Sequence, residues 1–118
     1  MSKKKVRKGA ASKLDRASLE KIAKVFGAFS DATRLAILQE LKEGARSVGE
    51  LVQAIGVSQG SMSKQLQHLS EAGILLRDKQ GTQVFYSIAD EMVFTMCGLV
   101  CDKLNRDREA SASINFSI

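Results

Sequence analysis

Ile55-Gly56-Val57-Ser58-Gln59-Gly60-Ser61-Met62 has the form of a hinge between two helices. Gly56 is free to take the left-handed backbone conformation, and Ser58, two residues on, can cap a new helix. Met62, Leu66 and Leu69 then recur at helical spacing. Upstream, Ser47-Val48-Gly49-Glu50 is a capping box that opens a short helix with Leu51, Val52 and Ile55, which Gly56 ends. Two helices joined by a glycine turn predict a helix-turn-helix.

Outward from the hinge, the pattern stays helical on the N-terminal side. Leu19, Ile22, Ala23, Val25, Phe26 and Phe29 follow Ser18, a serine suited to capping, and predict a first helix ending near Ser30. Asp31 can cap a second helix with Leu35, Ile37, Leu38 and Leu41, stopped by Gly44. On the C-terminal side Gly73 closes the hinge's second helix and the period changes. Ile74 to Lys79 and Thr82 to Ile88 read as two strands turning at Gln80-Gly81, a hairpin placed as a wing. Helical spacing returns from about Asp90 to Asn105 in Met92, Val93, Met96, Cys97, Val100, Cys101 and Leu104. The expected fold is therefore mainly α with a small β-hairpin wing.

The chain of 118 residues is the size of one domain. Its 44% hydrophobic and 26% charged residues are those of a globular protein, and no apolar run approaches the ~20 residues needed to cross a bilayer. The lysine-rich start lacks the apolar stretch of a signal peptide, so a cytoplasmic location is expected. Two cysteines there are reactive or packing residues and not a disulfide framework. Residues 1 to 16 hold seven basic residues against Asp15 alone, a local +6, whereas the remainder has eleven basic against twelve acidic residues, or −1. The chain is thus expected to divide into a basic, disordered arm (1–16), a folded body (17–107) and a flexible tail (108–118).

In a helix-turn-helix the second helix enters the major groove of DNA, N-terminal residues nearest the bases. With Met62, Leu66 and Leu69 turned inward, the helix presents Ser58, Gln59, Ser61, Ser63, Lys64, Gln65 and His68: amides and hydroxyls that read bases, and a cation for phosphate. Gln59 and Gln65 are the strongest candidates for base contact. Arg77, Lys79 and Gln80 on the wing are placed for a neighbouring phosphate or minor groove, and Lys3, Lys4 and Lys5 in the arm suit phosphate contacts that release counterions. Enzyme readings fail: the single histidine, His68, lies on the DNA-facing helix, and neither a phosphate loop nor a carboxylate pair stands out. A protein-interaction module built on the same scaffold remains a third reading.

From Ile22 to Asn105 the chain resembles the ArsR/SmtB family of dimeric winged-helix repressors. The resemblance lies in Phe29-Ser30-Asp31-Ala32-Thr33-Arg34-Leu35-Ala36-Ile37-Leu38, Val57-Ser58-Gln59, Ser63-Lys64-Gln65-Leu66, Leu69-Ser70-Glu71-Ala72-Gly73-Ile74 and Val84-Phe85-Tyr86-Ser87-Ile88. It implies a homodimer through the first and last helices that binds an imperfect inverted repeat of double-stranded DNA and releases it when an inducer binds. Arg34 looks like a structural or phosphate-facing residue of this pattern.

The metal sites of the family are missing residue by residue. Ser47-Val48-Gly49 stands where some members have two cysteines flanking a valine. Asp90, Met92, Lys103 and Arg106 stand at the zinc-site positions of the last helix, and two cations cannot hold zinc. Gln39 and Asn105 replace the cysteine pair of oxidant sensors. What remains is Cys97 and Cys101, one turn apart on one helix face. Cβ atoms ~5 to 6 Å apart are too distant for an intrahelical disulfide, which wants ~3.8 Å. The pair either senses a soft metal, trivalent arsenic or an oxidant as inducer, with Met92, Met96 or the partner's thiols adding sulfur, or it is only packing, in which case another ligand or a protein partner controls the regulator.

Overall fold

The structure is a computed structural model and describes residues 12–109 and 115–118, so Lys3, Lys4 and Lys5 lie outside the described residues. Five α-helices and three strands follow in the order α1 (Arg16–Ala28), α2 (Ala32–Glu40), β1 (Arg46–Ser47), α3 (Val48–Ile55), α4 (Gln59–Glu71), β2 (Leu75–Gln80), β3 (Gln83–Ile88) and α5 (Met92–Asp107). A 3-10 turn, Leu41–Glu43, ends α2 at Gly44. The predicted caps of α2, α3 and α4 are in place. Asp31 accepts from the Arg34 N–H, Ser47 and Glu50 form the reciprocal capping box, and Ser58 accepts from the Ser61 N–H.

Helix α1 starts earlier than the serine suggested. Asp15 is its cap, accepting from the Ser18 N–H at 2.8 Å, so Ser18 lies inside the first turn. A carboxylate outcompetes a hydroxyl here because the N-terminal end of the helix dipole is positive. The hydrogen bonds from Ser18 hold the Asp15 carboxyl below its ordinary range.

Helices α3 and α4 meet at Gly56, whose φ of 83° lies in the left-handed region and whose N–H donates to the Val52 carbonyl at 2.8 Å. Ile37, Leu38, Leu51, Met62, Leu66, Leu69 and Val93 are wholly buried and form the core, with Tyr86 of β3 against it. Burial of each large side chain contributes about 1.5 to 3 kcal/mol.

The sheet has the order β1-β3-β2, all antiparallel. Gln80 pairs with Gln83, so the turn residues are Gly81-Thr82, one position later than Gln80-Gly81. Gly81 takes φ 64° at the first turn position, which fixes the register. Strand β1 was absent from the sequence reading. Its two residues pair Arg46 with Tyr86 and Ser47 with Phe85, joining the start of α3 to the wing. The architecture is a winged helix-turn-helix.

The two outer helices leave much of their apolar surface open. On α1, Leu19, Ile22 and Phe26 are 49%, 42% and 60% exposed, and on α5 Leu99 and Val100 are 66% and 58% exposed. Their inner edges join the body: Ala28 with Val25 on α1, and Val93 with Phe94 on α5, where Cys97 and Cys101 are also buried.

A Cβ built at Gly56 or at Gly60 would meet nothing within 4 Å, so only the backbone angle distinguishes the two sites. Gly56→Ala should lose about 1 to 2 kcal/mol, whereas Gly60→Ala inside α4 should gain about 0.5 to 1 kcal/mol. Urea denaturation of both variants checks this, and equal effects would contradict the left-handed hinge.

Candidate nucleic-acid interface

Burial of Met62, Leu66 and Leu69 at 0% exposure orients α4 and turns Gln59, Ser61, Ser63, Lys64, Gln67 and His68 to solvent. Between this helix and the wing lies an open groove of about 720 Å³. Gln59, Ser63 and Arg77 line it together, so the structure joins three of the expected residues from two elements. Ser58 spends its hydroxyl on the cap. Lys79 and Gln80 stand at the exposed hairpin end, where the Gln80 amide donates to Asp78 at 2.7 Å.

Gln65 behaves differently from Gln59. It is half-buried, and its Oε1 accepts from Arg34 Nη1 at 2.7 Å. The same guanidinium donates through Nε to the Ala28 carbonyl at 3.0 Å and through Nη2 to the Gly27 carbonyl at 2.9 Å. Those carbonyls lie at the C-terminal end of α1, where the Gly27 carbonyl also accepts from the Ser30 N–H at 3.1 Å and the Ser30 hydroxyl at 2.7 Å, so Arg34 shares the capping of α1 with Ser30 and grips α4 at once. A glutamine reading adenine uses both ends of its amide. In Gln65 the oxygen already has a partner.

Gln67 and Gln83 also line the groove and were not expected. Gln67 falls four residues after Ser63 and eight after Gln59, a stripe that helical periodicity contains. Its Nε2 donates to Glu71 at 3.0 Å. Gln83 became legible only with the true turn register. Ser70 Oγ, on the same wall, is buried with no hydrogen-bond partner among the described residues.

Cys97 and Cys101 are free thiols facing the body of the chain, 7% and 9% exposed. Burial, with a smaller contribution from the neighbouring Cys101, pushes the Cys97 thiol up. Among the described residues no three His, Cys, Asp or Glu side chains group as metal ligands. The thiols line a second, apolar cavity between α1, α2 and α5. Met96 lines it too, whereas Met92 is 42% exposed and not part of it.

Residues 29–78 match a family model described as a helix-turn-helix domain. An uncharacterized HTH-type transcriptional regulator of Methanocaldococcus jannaschii is 40% identical over 82 residues, covering 69% of this chain and 92% of that protein. The HTH-type transcriptional repressor SmtB of Mycobacterium tuberculosis is 35% identical over 72 residues, covering 61% of this chain and 53% of that protein. Among solved structures, a homodimeric winged helix-turn-helix DNA-binding domain from Mycobacterium bovis, described as a possible ArsR-family transcriptional regulator, superposes with a TM-score of 0.69. Its identity is 30%, over 90% of this chain and 98% of that one.

The raised Cys97 thiol gives a pH signature. Alkylating agents attack the thiolate, so iodoacetamide should label Cys97 more slowly at pH 8 than the same thiol in urea-unfolded chain. The folded chain's rate should still climb above the ordinary thiol value of 9.0. Because the folded state keeps the proton longer than the unfolded one, stability should fall as pH rises through this range. Mass-spectrometric labelling at stepped pH checks it, and identical profiles for folded and unfolded chain would refute the burial argument.

Proposed function

The chain belongs to the ArsR/SmtB family of winged helix-turn-helix transcriptional regulators, and we propose that it is a repressor that binds an imperfect inverted repeat as a homodimer and releases it when an inducer binds. A member of this family is a DNA-binding regulator and not an enzyme. The observation that carries the reading is the groove in which Gln59, Ser63 and Arg77 converge from recognition helix and wing. Gln59, whose amide has no hydrogen-bond partner among the described residues, reads a base edge. Ser61, Ser63, Lys64 and His68 grip the backbone beside it, Arg77 joins from the wing wall, and Lys79 and Gln80 reach the adjacent phosphates or minor groove. Lys3, Lys4 and Lys5 add phosphate contacts from the arm. Gln65 serves chiefly to hold Arg34.

The exposed apolar faces of α1 and α5 support pairing of two copies through those helices, since surfaces of this kind are usually covered. Pairing sets the two recognition helices about 34 Å apart, one turn of DNA. Among the described residues no helix is long and apolar enough to cross a membrane. The regulator acts in the cytoplasm, where its operator is.

For the inducer, Cys97 and Cys101 form a pair that trivalent arsenic, a soft metal or an oxidant would engage. Their shared face and the cavity that reaches them support this reading. Their burial, the raised Cys97 thiol and the lack of a third ligand favour the second one, in which both thiols pack and another ligand or protein partner is the signal.

Two experiments test the proposal. Gln59→Ala should lose about 1 to 3 kcal/mol at a duplex selected from a random pool and relax its base preference, with non-specific affinity preserved. Wild-type binding by this variant would put the groove assignment in error. Arsenite, phenylarsine oxide, cadmium, copper(I) and peroxide are then titrated onto the DNA complex of wild type, Cys97→Ser and Cys101→Ser. Thiol sensing requires release in the wild type that both substitutions blunt; release absent, or equal in all three proteins, assigns the thiols to packing.

A further inference from the structure

The apolar cavity between α1, α2 and α5 encloses about 380 Å³. Phe26 and Phe29, Leu35, and Met96, Cys97 and Cys101 form its walls, and residues 116–118 make a further side. Among the described residues no charged side chain lines it. The volume falls in the ~300–1,000 Å³ range of small-molecule pockets. Phe26 and Val100, on the open faces of α1 and α5 that support pairing, stand at its rim, so in a dimer a second copy borders the cavity, and the side formed by residues 116–118 is its own wall.

The side formed by residues 116–118 is held by polar bonds to the body. Asn105 clasps the backbone of Phe116 from both directions, its Nδ2 donating to the Phe116 carbonyl at 3.0 Å and its Oδ1 accepting from the Phe116 N–H at 2.8 Å. Lys42 Nζ donates to the Ile118 carbonyl at 2.9 Å. Opening this side exchanges a few polar bonds with water and leaves the buried core intact.

The cavity does not touch α4, but Arg34 connects its walls to that helix. Phe26 and Phe29 flank Gly27 and Ala28, the two residues whose carbonyls Arg34 holds, and Leu35 follows Arg34 in α2. The same planar guanidinium is fixed to Gln65 of α4. A molecule that spreads the two phenylalanines displaces the carbonyls, and the rigid fork carries the displacement to α4.

We infer that this cavity is an effector site for a small, uncharged, predominantly apolar molecule, coupled to DNA binding through Arg34. The inference rests on the reading of the chain as a DNA-binding regulator, but it needs no reaction at the thiols. An ion would lose its hydration among apolar walls, and the nearest cation, Lys42, stands outside the lining and is already bonded to Ile118. Occupancy lowers DNA affinity to the extent that the ligand prefers the spread arrangement of Phe26 and Phe29.

The probe for the test is N-phenyl-1-naphthylamine, neutral and without thiol-reactive groups, with 1-anilinonaphthalene-8-sulfonate as its anionic counterpart. In fluorescence titrations of the full chain the neutral probe should bind at one per chain, and the sulfonate about tenfold more weakly or worse. Met96→Trp and Cys101→Leu, which fill the cavity, should each weaken the neutral probe about tenfold, with folding confirmed by thermal melts, whereas Leu76→Ala on the wing should not. A saturating amount of probe should weaken binding to a selected duplex about fivefold or more in the wild type. Arg34→Lys, which has no fork, should keep the probe and lose that response. The site is overturned by absence of probe binding, by equal binding of the sulfonate, by retention in both filling variants, or by affinity that falls as protein concentration rises, which assigns the space to a second copy. Probe binding without change in DNA affinity overturns the coupling. Failure of the chain to bind any duplex without probe instead rejects the regulator reading, on which the DNA-free titration does not depend.

Discussion

One guanidinium holds α1, α2 and α4 in a fixed relation. Arg34 donates to the carbonyls of Gly27 and Ala28 and to the side chain of Gln65, all between 2.7 and 3.0 Å. The C-terminal end of α1 is also held by packing, through Ala28 in the core and Val25 and Phe29 against it. Hydrogen bonds from a charged donor are roughly twice as strong as neutral ones, and the planar fork fixes direction as well as distance. Arg34 is itself placed by the cap of its own helix, its N–H donating to Asp31 at 3.2 Å. A short run, Asp31 to Arg34, therefore starts α2, ends α1 and positions α4.

The body divides into two kinds of surface with different physical demands. Around Leu38, Leu51, Leu66 and Leu69 the core is closed and self-sufficient. Along α1 and α5 the chain carries apolar side chains that its own fold does not cover. A protein with both can fold its helix-turn-helix independently of the outer surface, which in the proposed dimer sets the spacing between two copies. Changes in the outer helices can then alter geometry without dismantling the DNA-facing unit.

Most of the architecture was legible because its signals are local. The Gly56 hinge, the Ser58 cap and the Ser47-Glu50 box each declare themselves within four residues, and each stands where expected. Three misreadings trace to competition that a linear pattern does not contain. Asp15 displaced Ser18 as a cap through the field of the helix end. The hairpin turn moved to Gly81-Thr82 because Gly81 takes its left-handed φ at the first turn position, which leaves Gln80 to pair with Gln83. β1 is two residues long and owes its existence to β3, more than thirty residues away, so no periodicity could announce it. Among the candidate site residues, the exposure of Gln59, Ser63 and Lys64 followed from helical phase. The engagement of Gln65 by Arg34 spans 31 positions and became visible only in three dimensions. The cysteines were placed correctly on one helix face, but spacing alone could not say that the face turns toward the chain's own body.

The hairpin buries Leu75 at its base on β2, and every later residue of that strand is exposed. Its outer half therefore contributes little to the core, while β1 and β3 anchor its inner half beside α3. Such a division has an evolutionary meaning. Mutations at the wing tip are nearly free of stability selection, so that part of the surface can drift and gain or lose charge over generations while the hinge and core stay constant. With the wing meeting DNA as proposed, diversification of target choice accumulates there first.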